Sequence, residues 1–67
     1  METIQLNGNY LVRAVKDPVS GQWSGDVIML HAQTKAEATH LFDCPALDSR
    51  ESLKEWAEHA LKAMSEG

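Results

Sequence analysis

DSRESLKEWAEHALKAMSEG, residues 48–67, is the stretch that decides the fold. Its apolar residues Leu53, Trp56, Ala57, Ala60, Leu61 and Met64 recur at i, i+3, i+4, i+7, i+8 and i+11. That spacing lays one apolar stripe along a helix of period 3.6. Asp48 is placed to act as N-cap, with Glu51 three residues on completing a capping box. Gly67 suits a helix stop. The opposite face, Arg50, Lys54, Glu55, Glu58, His59 and Lys62, is charged and suits solvent. An isolated helix of this length is marginal in water, so the stripe must bury against the residues that precede it.

Those residues read as antiparallel strands. YLVRAVK, Tyr10–Lys16, is β-branched and aromatic, without Gly or Pro. Asp17-Pro18-Val19-Ser20-Gly21 is a turn, in which Pro18 presets φ and Gly21 supplies a left-handed conformation. QWSGDVIMLHA, residues 22–32, returns as the second strand. Gly25 within it marks a bulge, or a place where a bulky neighbour packs on bare backbone. One register sets Tyr10 opposite Met29, Val12 opposite Val27 and Arg13 opposite Asp26, the last as a cross-strand ion pair.

The flanking segments are less regular. Residues 33–37 read as a turn, although Thr34 with Glu37 forms a second capping-box pattern that allows a short helix. Residues 38–44 alternate at strand period, and Cys44-Pro45 is expected to end that strand. Ile4 and Leu6 alternate with polar neighbours ahead of an Asn-Gly-Asn turn, so residues 1–9 are an irregular entry or a short extra strand. The expected fold is therefore one α+β domain over residues 1–67. Its three-stranded antiparallel sheet spans 10–44 and packs against a single C-terminal amphipathic helix over 48–66.

At 67 residues the chain can bury only about 60% of its unfolded surface. With one cysteine, Cys44, it has no internal disulfide framework and no Cys-rich zinc pattern. No apolar run approaches the length of a membrane span, and the start, METIQLNGN, does not read as a signal peptide. Cytoplasmic residence is the default expectation. The net charge of −4 divides evenly between residues 1–47 and 48–67, three basic against five acidic residues in each. Neither half concentrates the Lys and Arg on which nucleic-acid affinity rests.

Motifs of catalysis are missing from this reading. Cys44 stands between Asp43 and Pro45, a setting that does not favour a thiolate, and reads as a small buried thiol. The serines lie in no nucleophile elbow, the glycines form no phosphate loop, and a domain this small leaves little room for a ligand cleft. His31 and His40 fall nearly opposite each other if the second and third strands pair. Cys44, or Glu55 with His59, would be further metal donors, but no local ligand spacing supports a centre. The expectation is a non-enzymatic protein with no cofactor and no metal.

Both faces of the Tyr10–Ala32 hairpin are apolar. Tyr10, Val12, Ala14, Trp23, Val27 and Met29 lie on one side, and Leu11, Val15, Ile28 and Leu30 on the other. One helix covers one side. Either Ile4 and Leu6, or the connector at Leu47, folds over the second, or that face meets another protein chain, most simply a second copy. Leu11, Val15, Ile28 and Leu30 are the candidate interaction surface, with Trp23 as a further anchor at the hairpin end.

Gly21-Gln22-Trp23, Val27-Ile28, Phe42 and the helix Ser49–Met64 give the chain a resemblance to small bacterial single-domain proteins without assigned function. More loosely, residues 10–64 are similar to the sheet-reading DNA-binding domains of plant ethylene-response factors and phage-type integrases. The resemblance implies a three-stranded sheet backed by one helix. Those DNA-reading sheets present several Arg and Lys, whereas this one offers Arg13, Lys16 and Lys35 diluted by Asp17, Asp26 and Glu37. A protein-interaction module therefore ranks first, and a nucleic-acid-binding sheet is the alternative.

Overall fold

A computed structural model describes residues 1–31 and 38–66. The elements run β1 (Glu2–Gln5), β2 (Tyr10–Lys16), β3 (Trp23–Leu30), β4 (Ala38–Leu47) and α1 (Arg50–Glu66). The strands form one antiparallel sheet in the order β1-β2-β3-β4, with the helix against one face. The α+β architecture matches the sequence reading, with the optional N-terminal strand realised as a fourth member. The turn expected at 33–37 and the Thr34–Glu37 helix alternative lie outside the described residues.

The β2–β3 hairpin has the register that its side chains imply. Tyr10 faces Met29, Val12 faces Val27 and Arg13 faces Asp26. Asp17 closes the loop: its Oδ1 accepts from the Val19 amide at 2.8 Å, its carbonyl accepts from Gly21, and its amide donates to Gln22. Gly21 sits at φ 76°, the left-handed conformation that costs glycine least. Gly25 has the other kind of constraint. A Cβ there would lie 1.9 Å from the Arg13 carbonyl oxygen on β2, so bare backbone is required where the two strands meet.

Two expectations about element ends are corrected. Cys44-Pro45 does not stop the third hairpin strand, which continues to Leu47. β4 is an edge strand, and the register shifts between Trp23 and Gly25, so Pro45 sits in an irregularity where no ladder donor is needed. The helix is capped one residue later than expected. Ser49 Oγ accepts from the Ser52 amide at 3.0 Å, and the Ser49 carbonyl accepts from Leu53, so Ser49 and not Asp48 is the N-cap. A serine hydroxyl satisfies that orphan amide as well as a carboxylate does.

The core lies between sheet and helix. Ile4, Leu6, Val12, Ala14, Val27, Cys44, Leu53 and Ala57 form it, and among the described residues no polar side chain is buried with them. Ile4 and Leu6 therefore join the helix side and do not fold over the opposite face. Leu47 also packs against this core. Trp56 is half-buried, set edge-on to Phe42 with ring centroids 5.9 Å apart. Of the stripe expected to bury, Leu53 and Ala57 are enclosed at 0% exposure, whereas Trp56 and Leu61 are only half-buried and Met64 is 48% exposed. The apolar stripe runs on past the covered layer.

Candidate functional site: the open sheet face

Alternation along the strands sorts the side chains into two sets. Val12, Ala14, Val27 and Cys44 point to the helix. Leu11, Arg13 and Val15 of β2, and Asp26, Ile28 and Leu30 of β3, take the other side. Asp43 and His40 join this second set as the cross-strand partners of Asp26 and Ile28. Among the described residues no element is layered over this side, and the Cα trace measures only 15 Å along its shortest axis, the depth of one sheet and one helix.

Of the candidate interaction residues, the structure brings Leu11, Val15, Ile28 and Leu30 onto this one face. Val15 is exposed and Leu11 and Leu30 are half-buried, whereas Ile28 is buried. Trp23 does not join them. It is half-buried and packs against the helix-side core, at the start of β3.

The centre of the face is polar, which the hydrophobic pattern alone did not show. Arg13 grips Asp26 with two hydrogen bonds, Nε to Oδ1 at 2.8 Å and Nη2 to Oδ2 at 2.5 Å. The hydrogen bond from Arg13, opposed by desolvation, holds the Asp26 carboxyl below the usual carboxylate range. On the far side of Asp26, His40 Nε2 lies 3.7 Å from Asp26 Oδ2 and donates to Asp43 Oδ1 at 2.9 Å. One donor atom from each of Asp26, His40 and Asp43 lies within 4.8 Å of the others. The Arg13–Asp26 half of this cluster was legible as a register pair. The His40–Asp43 half was not, because it depends on a register shift between Val27 and Ile28 that places Leu41 as an extra residue in β4.

The histidines do not form the centre considered from sequence. His40 stands opposite Ile28, and His31 Nε2 makes its own 2.7 Å hydrogen bond with Thr39 Oγ1. Cys44 is buried on the helix side, and burial, helped by the charges of Asp26 and Asp43, pushes its thiol up to about 11. At neutral pH it is a protonated thiol. A cleft of about 480 Å³ between the β1–β2 turn and the helix is lined by Leu6, Tyr10, His59 and Met64 among others. The expectation was of little room for a ligand cleft, and this volume falls within the roughly 300–1,000 Å³ that ligand sites occupy. No helix among the described residues is long and apolar enough to cross a membrane.

No protein-family model, curated protein or solved structure matches this chain.

Proposed function

We propose that the protein is a small interaction module that self-associates through the open sheet face. The observation that supports this is the placement of Ile4, Leu6 and Leu47, the segments available to cover that face, on the helix side. Val15, Leu11 and Leu30 thus retain apolar surface opposite the helix. Each apolar side chain left in water forgoes about 1.5–3 kcal/mol of burial, part of which association recovers, less the entropy of joining two chains. A second copy is the fitting occupant. The face carries both signs of charge, Arg13 on β2 and Asp43 on β4, so a copy related by a two-fold axis is not repelled as it would be from a face of one sign. Nucleic acid fits less well, because the guanidinium of Arg13 is already engaged by Asp26 and the chain is acidic.

Sedimentation equilibrium in the presence of EDTA tests the reading. The parent should dimerise with rising concentration, and Val15→Glu should give a folded monomer. Val15 is the better position for a charge than Ile28, whose burial makes Ile28→Asp a folding defect first. A parent chain that stays monomeric from micromolar to millimolar concentration overturns the proposal.

A further inference from the structure

The polar centre of the open face holds one pairing that packing does not explain. Asp26 and Asp43 are direct cross-strand partners. Like charges directly opposite each other destabilise an antiparallel pair. Arg13 bonds both oxygens of Asp26, and Oδ2 lies at the same time 3.7 Å from His40 Nε2, so the side toward β4 carries two carboxylates and an imidazole. The geometry there is built by the strand. Residues three apart in a regular strand point to opposite faces, and the extra residue at Leu41 is what lets His40 and Asp43 share one. A shallow depression of about 290 Å³, lined by Arg13, Val15, Gly25, Asp26 and Asp43 among others, adjoins the two carboxylates on the side away from His40.

We propose that Asp26, His40 and Asp43 bind a divalent transition-metal ion of the zinc class, with water in the remaining coordination positions. Around a tetrahedral ion with bonds near 2.0 Å, donor atoms stand about 3.3 Å apart. The 2.9 and 3.7 Å spacings from His40 bracket that distance. Closing the remaining gap needs only side-chain rotation, because His40 and Asp43 are 50% and 84% exposed. The imidazole favours zinc, nickel or cobalt over magnesium and calcium, which prefer oxygen donors throughout. Two carboxylates and one guanidinium leave the cluster at −1, so a dication is accommodated, while Arg13 limits how tightly it is held.

The proposal does not rest on self-association, because all three donors come from one chain. Calorimetric titration of the full chain with zinc chloride at neutral pH tests it. One saturable site per chain is expected, weakened at least about tenfold by His40→Ala and by Asp43→Asn, and unchanged by His31→Ala. Magnesium chloride should give no comparable site. Zinc should also raise the melting temperature of the parent and not that of Asp43→Asn, which separates site loss from misfolding. Lack of saturation up to about 1 mM zinc, or binding that survives both donor substitutions or disappears in His31→Ala, overturns the proposal.

Discussion

The two faces of this sheet are made by the same strands and differ in almost everything else. Toward the helix, Val12, Ala14 and Val27 are sealed at 0–1% exposure, and among the described residues no polar side chain is buried with them. On the open side the intervening residues mix apolar with charged: Leu11, Arg13 and Val15 on β2, Asp26, Ile28 and Leu30 on β3. A strand's period of two lets one segment serve both purposes without compromise. What differs is the consequence of a change. On the helix side a substitution removes folding energy, and on the open side it alters what the surface can meet.

The largest effect is expected where the helix enters the core. Leu53 is fully buried, so Leu53→Ala should cost about 2–5 kcal/mol, a large fraction of the stability of a domain this small. Met64→Ala, on the same stripe but 48% exposed, should cost far less. Urea melts of the two variants check the contrast. Equal losses would mean that the helix is docked along its whole length.

Gly25 comes next, because the β2 backbone passes directly against it. A Cβ at this position meets backbone, the Arg13 carbonyl, which has no rotamer through which to yield. Gly25→Ala should therefore separate β2 from β3 locally and cost about 1–3 kcal/mol. Retention of the parent's melting temperature would show that the strands can move apart freely.

How much of this was legible follows from the kind of signal each feature leaves. The helix, the β2–β3 register and the role of Gly25 are written in local periodicity and turn chemistry around Asp17 and Gly21. The fourth strand was only half legible. Ile4 and Leu6 have the right alternation, but whether they lie beside β2 or over its far face depends on tertiary packing. Pro45 misled because its effect differs between edge and central strands, and the sequence does not say which β4 is. The Asp26–His40–Asp43 cluster was hidden for a similar reason: an extra residue reverses the alternation beyond Leu41, and no residue type announces it.

Smaller effects separate the faces by pH. Asp26 has its carboxyl lowered by Arg13, so its contribution is complete above the ordinary carboxylate value near 4 and is lost as pH falls through the lower folded value. Asp26→Asn should blunt the acid loss of stability without altering the alkaline side. Cys44 has the opposite sign. Its folded value is raised from 9.0 to about 11, so the unfolded chain releases the thiol proton first. Stability should decline as pH rises from about 9 to about 11, and Cys44→Ala should remove that slope. Denaturant melts across pH 3–11 read both. An acid limb unchanged in Asp26→Asn would place the acid sensitivity elsewhere.

The smallest expected effect on stability is at Val15, and it sharpens the comparison most. Val12 and Val15 belong to one strand, three residues apart, and fall on opposite faces. Val12 is 0% exposed and Val15 is 48% exposed. Val12→Glu would bury an unpaired carboxylate in an apolar core and should unfold the domain. Val15→Glu puts the same charge where solvent already reaches it, so stability should stay within about 0.5 kcal/mol of the parent. Its effect should appear instead in sedimentation, as loss of the concentration-dependent dimer. Asp43 lies on the same face two strands away, so the added charge also meets an acidic neighbourhood on the approaching copy, which opposes association further. If Val15→Glu melts like the parent and sediments like it too, the open face is not where copies of this chain meet.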